Sequence, residues 1–124
     1  MDGKEIVGRV VLNASVAVHT ELGPGLLERV YEACLVHELV HAGLRVRRQV
    51  ALPVRYKGLR IATGFRLDLL VNESVVVELK TFESLNDVHF AQLLSYLRLG
   101  GYKLGYLLNF NVSRMKQGIR RVVN

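Results

Sequence analysis

One cysteine in 124 residues rules out an internal disulfide and any cysteine-rich metal site. Cys34 stands among Ala33, Leu35 and Val36, which marks it as a buried core thiol. No apolar run approaches the length of a membrane span, so no membrane partner is expected. The first residues, Met1-Asp2-Gly3-Lys4-Glu5, are polar and lack the pattern of an export signal, so a cytoplasmic location is expected. There is no Ser-His-Asp elbow, no phosphate-cradling glycine loop and no cofactor fingerprint. Repeats, low-complexity tracts and linkers are absent too, and one domain over residues 1–124 is expected. Acids are scarce: 11 Asp and Glu face 17 Lys and Arg, for a net charge of +6. Twelve of those 17 cations are arginine, the side chain best suited to bidentate phosphate contact. A polyanionic partner suits such a surface, although a solubilising excess would have the same composition.

What is present reads as alternating helices and strands. Ile6, Val7, Val10, Val11, Ala14, Ala17 and Val18 recur at three- and four-residue spacing and predict a helix over 5–21. His19, near its end, reads as a cap or a polar core residue. Leu22-Gly23-Pro24-Gly25 breaks the chain, and a second helix is expected from Leu26 to Ala42, stopped by Gly43. Its Glu28, Tyr31, Leu35 and Leu39 share one face. His37 and His41 are spaced like a metal pair, but no third ligand is near in sequence. From Leu44 to Tyr56 the period is two, with Pro53 suggesting an edge or a bulge. Lys57-Gly58 is a turn, and Gly64 marks a bulge before two apolar strands, 66–71 and 75–80, joined at Asn72-Glu73-Ser74. Asn86 or Asp87 caps a third helix over 88–99, with Gly100-Gly101 as its stop. Tyr102 to Phe110 is a further strand, and a basic segment from Val112 to Asn124 packs back as a short helix or strand. The expected class is α/β (α+β), a mixed sheet flanked by helices in the order ααβββαβ plus that basic segment.

Three charges stand out against this apolar background. Glu78 and Lys80 point the same way on one strand, and Asp68 falls opposite them if the hairpin closes at 72–74. Two carboxylates and an ammonium are costly to bury without a compensating partner. A divalent cation such as Mg²⁺, held by one or two carboxylates and substrate phosphates, meets that need. Asp68 and Glu78 would hold it, and the Leu79 carbonyl could complete part of the shell. Such a cation neutralises phosphoryl charge and acidifies water, while Lys80 stabilises developing charge. Glu28 is either a first-turn acid that favours the helix dipole or an outer ligand of the same site. Tyr31 reads as a core aromatic whose hydroxyl bonds a site carboxylate. Gln92 and Tyr96 form a polar stripe on the third helix beside the site.

The ordered set of Glu28, Asp68, Glu78-x-Lys80 and Gln92-x-x-x-Tyr96 resembles the PD-(D/E)XK nuclease superfamily. Within it, Gly25-x-x-Glu28-x-x-Tyr31 is similar to the motif of the GxxExxY proteins, small bacterial members. The likeness runs from about Ile6 to Val122 and includes Leu108-Asn109-Phe110. Asp68 lacks a preceding proline, a frequent departure in that superfamily. The resemblance implies a restriction-endonuclease-like core with the metal where the central strands diverge. It implies Mg²⁺ or Mn²⁺ on Asp68, Glu78 and Glu28, catalysis by these with Lys80, and Gln92 and Tyr96 as in recombination exonucleases.

The expected activity is metal-dependent hydrolysis of phosphodiester bonds in nucleic acid, DNA before RNA. The alternative is a module of the same fold that binds nucleic acid or a protein with little or no hydrolysis. Arg66, Arg114, Arg120 and Arg121 are candidate phosphate contacts if they share a face with the site. Homodimerisation suits such a protein, since symmetric cleavage of a duplex needs two sites.

Overall fold

The computed structural model of the chain describes residues 2–124, without the side chain of Thr63. Helix α1 spans Gly3–Leu22 and starts earlier than the apolar stripe suggests, because the Asp2 carboxylate accepts the Glu5 N–H at 2.9 Å and caps it. Val7, Val11, Ala14 and Val18 bury its inner stripe, while Ile6 at the edge stays exposed. Helix α2 spans Glu28–His41 and begins two residues later than expected. Leu27 at its N-cap supplies no side-chain bond, and the Leu26 N–H is bound by the Tyr31 hydroxyl instead. Cys34 is half-buried between the helices rather than fully enclosed. No helix among the described residues is long and apolar enough to cross a membrane.

The sheet has five strands in the spatial order of the chain: β1 Val46–Tyr56, β2 Leu59–Val71, β3 Val75–Lys80, β4 Leu104–Asn109 and β5 Ile119–Val123. Helix α3, Asp87–Gly100, crosses from β3 to β4, which therefore pair in parallel, while the other neighbours are antiparallel. Asn86 caps α3 with its side chain on the Val88 N–H, and His89 returns a ring nitrogen to the Asn86 N–H. The basic segment takes both expected forms, a 3₁₀ turn over Met115–Gly118 and then β5. The sheet thus gains an edge strand beyond the expected ααβββαβ order.

Helices α1 and α2 cover one face of the sheet and α3 the other. Leu69, Val71, Val75, Val77 and Leu79 pack into the first core, and Leu67, Leu70, Val76 and Leu107 into the second. Leu67 and Leu69 are two residues apart yet face opposite layers. Alternation would put them together, so β2 makes a half-turn at Asp68. Strand β1 does the same: Val46 joins the first core and Val50 the second, and Gln49 between them has a φ of 52°. The paired irregularity sits beside the charged cluster.

Beyond it, β1 and β2 continue as a two-stranded ribbon closed by Lys57 and Gly58, both at positive φ as the tight hairpin turn requires. The bulge expected at Gly64 is present, where the register shifts between Leu52 and Val54. A Cβ at Gly64 would stand 2.1 Å from the Leu52 carbonyl oxygen, so only glycine fits.

Candidate active site

Strands β2 and β3 pair at Val71↔Val75, Leu70↔Val76 and Leu69↔Val77. One more step in that register sets Asp68 across from Glu78, and here the backbone ladder ends. Side chains take over the missing rungs. Asp68 Oδ2 accepts the Leu79 N–H at 2.8 Å, and Glu78 Oε1 accepts the Asp68 N–H at 3.4 Å. The Asp68 carboxylate reaches across the gap to the backbone of β3. This is where the central strands diverge, the place that the resemblance implies for the site.

Glu78 is 5% exposed and lies against the Asp68 carboxylate. Burial first, and then the negative charge and hydrogen bonding of Asp68, push its carboxyl up to about 9, with Lys80 pulling the other way. A carboxyl pair in that state has a strong use for a nearby cation. Lys80 is half-buried at the end of β3, its ammonium 5.8 Å from the centre of the Phe82 ring. Glu28 enters as the first residue of α2 and is half-buried. Burial, then Asp68, raises its carboxyl from the ordinary value, Lys80 opposes that, and Glu32 adds to it. Glu28 therefore feels both Asp68 and Lys80.

On the other side, Tyr96 of α3 is buried, with its ring 5.2 Å from that of Phe65. Burial, then the charges of Glu78 and Asp68, raise its hydroxyl pKa. Gln92 lies one turn earlier on α3 and is exposed. Asp68, Glu78, Lys80, Glu28 and Tyr96 thus form one electrostatic neighbourhood drawn from β2, β3, α2 and α3.

Among the described residues no group of three or more His, Cys, Asp or Glu side chains is placed to hold a metal ion, and Glu28 stands beside the pair as an electrostatic neighbour of Asp68. The pair Asp68 and Glu78 remains, and two carboxylates with substrate phosphates are a sufficient protein contribution for Mg²⁺. Tyr31 does not touch a site carboxylate. Its hydroxyl donates to the Gly23 carbonyl at 2.6 Å and accepts the Leu26 N–H at 3.1 Å, while its ring stacks on Phe110 at 4.5 Å. It fixes the 23–26 loop and so the entry of α2, on which Glu28 stands.

Glu32, which sequence reasoning passed over, and Asn109, noted there only within Leu108-Asn109-Phe110, support the site. Glu32 is buried and accepts from Arg48 at 2.9 Å and from Gln49 at 2.8 Å, tying α2 to the irregular point of β1. Its signal is an acid on the buried face between Tyr31 and Leu35. Asn109, 1% exposed, accepts the Phe82 N–H at 3.1 Å and donates to the Phe82 carbonyl at 2.9 Å. It also accepts the Asn111 N–H at 3.2 Å. A lone amide in the apolar strand Leu104–Asn109 is the corresponding signal. Asn109 anchors the chain two residues after Lys80. Asn109→Ala is expected to cost about 1–3 kcal/mol in unfolding, since three hydrogen bonds of a buried amide are lost. Denaturant titration measures it, and an unchanged midpoint would refute the anchoring role.

The histidines stay outside the cluster. His19 Nε2 donates to the Val112 carbonyl at 2.8 Å, and the His37 and His41 rings lie 4.1 Å apart on an exposed stretch of α2. The four candidate phosphate arginines are scattered. Arg66 is exposed on β2 and donates to the Gln49 carbonyl at 3.2 Å. Arg114 is exposed beside the 3₁₀ turn, and Arg120 donates to the Gln117 and Ile119 carbonyls. Arg121 is engaged with Glu5 of α1, on the far edge strand from β1.

No curated protein matches this sequence. Among solved structures, the crystal structure of SSO0001 is similar, with 18% identity and a TM-score of 0.48 over 95% of this chain. This chain spans 65% of that one's length. Residues 5–122 match the profile of the PD-(D/E)XK nuclease superfamily, which covers nearly the whole chain and every member of the charged cluster. The chain therefore belongs to the PD-(D/E)XK nuclease superfamily.

Proposed function

We propose that this chain is a divalent-metal-dependent nuclease that hydrolyses phosphodiester bonds, in DNA before RNA, as one domain over residues 1–124. The observation that carries the reading is the Asp68–Glu78 pair at the point where β2 and β3 part, with Lys80 on the same strand as Glu78. Superfamily membership implies a nucleic-acid substrate and general use of divalent metals.

Asp68 and Glu78 would hold Mg²⁺ or Mn²⁺. The bound cation would neutralise phosphoryl charge and acidify water. The residues supply the rest. Lys80 places a positive charge where the leaving and attacking oxygens gain negative charge. Glu28, its carboxyl raised by burial and by Asp68, would be an outer ligand or hold a metal-bound water. Tyr96 and Gln92 offer hydrogen bonds from α3 to the substrate backbone. The Gly25-x-x-Glu28-x-x-Tyr31 motif supports a place among the GxxExxY proteins. Cytoplasmic location and a homodimer are parts of the same reading.

Incubation of the protein with duplex, single-stranded and branched DNA, and with RNA, tests it. Cleavage that appears with Mg²⁺ or Mn²⁺ and stops with a chelator is the expected result. No cleavage of any of these substrates with either metal would leave the binding-module alternative in its place.

A further inference from the structure

From Leu39 to Leu67 the chain contains none of its 11 acids, yet it holds seven of its 17 cations. Most of that stretch is the β1–β2 ribbon. Arg47 and Arg48 at its base are neutralised by Glu73 and Glu32. No ion pair among the described residues engages Arg55, Lys57, Arg60 or Arg66. Strands β1 and β2 are 11 and 13 residues long, but β2 meets β3 only over Leu69–Val71. β3 ends at Lys80, across from Arg66 in that register, so from Leu59 to Phe65 the ribbon extends past the end of β3. At its tip Tyr56 and Leu59 are 61% and 60% exposed.

The two faces of the ribbon differ. Leu52, Phe65 and Leu67 turn toward α3, and strand alternation puts Val54 and Tyr56 on that side. The other face carries Arg66 opposite Ala51, and farther out Arg55 directly opposite Arg60. Like charges in register destabilise a hairpin on its own. A polyanion laid across them reverses the sign of that contribution.

The shape and chemistry of this face select among polyanions. Arg66 pairs with Ala51 and Arg60 with Arg55, so four residues of β1 measure the distance between them, about 13 Å at ~3.3 Å per residue. That reach matches about four base pairs of duplex at ~3.4 Å each. A two-stranded ribbon is also a shape that a major groove admits. Single strands are held by aromatic side chains on which bases stack. The basic face has none, since Tyr56 and Phe65 belong to the opposite one.

We propose that the β1–β2 ribbon is a duplex clamp, whose Arg55, Arg60 and Arg66 lie along the phosphates of double-stranded nucleic acid entering the Asp68–Glu78 site. The proposal rests on the nuclease reading for its substrate but has its own test. Fluorescence anisotropy in metal-free buffer compares wild type with the Arg55→Ala/Arg60→Ala variant. The probes are a two-turn DNA duplex and one of its strands alone, over a range of KCl. The variant is expected to bind duplex about tenfold more weakly, with a slope of log K against log[KCl] shallower by about 2. Its binding to the single strand should stay within about twofold, and its melting temperature should not fall, since both positions are exposed and the substitutions remove a cross-strand repulsion.

Equal duplex affinity and slope in the two proteins would overturn the clamp, as would a wild type that binds no duplex. Equal losses on duplex and single strand would overturn the duplex preference. A change of oligomeric state without a loss of duplex binding would assign the ribbon to a second copy of the chain. Cleavage separates the two proposals. Ribbon-dependent duplex binding without cleavage sinks the nuclease alone, and cleavage with an unaffected variant sinks the clamp alone.

Discussion

Asp68→Ala is expected to lower cleavage by on the order of 10³-fold, close to 4 kcal/mol of transition-state stabilisation. The carboxylate sits in the strand gap beside Glu78 with its Oδ2 on the Leu79 N–H, so its removal takes away both the proposed cation ligand and a backbone tie. Lys80→Ala is expected to lower cleavage by a comparable factor for another reason. It leaves both carboxylates in place and removes only the positive charge on β3. Calorimetric titration with Mn²⁺ separates the two roles: Asp68→Ala should lose metal binding and Lys80→Ala should keep it. Either variant cutting as fast as wild type would refute the assignment of the site.

The second large effect concerns stability in the absence of metal. The Glu78 carboxyl lies at about 9 in the fold against 4.5 for the free group. Below pH 4.5 both states carry the proton and the group's contribution is at its fullest. As pH rises from 4.5 toward 9 the unfolded chain releases a proton that the folded chain retains. Folding therefore weakens with rising pH, by about 3 kcal/mol between the unfolded value and neutrality. Glu78→Gln removes this dependence, because a neutral amide has no proton to retain. In chelator, wild type should melt progressively lower than Glu78→Gln as pH goes from 5 to 8. Added Mn²⁺ should stabilise wild type at pH 8, since ligand binding to the folded state raises its apparent stability. Parallel melting curves for the two proteins across that range would contradict the buried, charge-coupled Glu78.

The meeting of Asp68 with Glu78 was legible because Asp68, Glu78 and Lys80 interrupt apolar strands at positions that alternation makes adjacent. Helix α3 was legible for a similar reason, with Asn86 at its start and Gly101 at its end. Features that depend on distant partners were not. The Tyr31 hydroxyl finds a loop carbonyl because the path of residues 23–26 puts Gly23 within 2.6 Å, and no spacing encodes that path. Glu28 looks like a ligand by motif order, but its distance from Asp68 depends on how α2 seats against the sheet, fixed partly by Glu32 with Arg48 and Gln49. Strand β5 was blurred because Arg120 and Arg121 break its apolar pattern, as an edge strand allows. The early part of β2 read as a passage into the strand because Gly64 and the bulge disturb its period.

The half-turn shared by Asp68 and Gln49 also bears on how the protein reaches its native state. Hairpins with simple alternation can slip by two residues and still bury the right side, a common source of kinetic traps. Here a two-residue slip would part the half-turn of β2 from its counterpart in β1 and drive a leucine into the wrong layer. The twist acts as an index mark that admits a single alignment of β1 on β2. Misaligned hairpins should therefore be short-lived during folding, and the residue that marks the alignment is Asp68 itself.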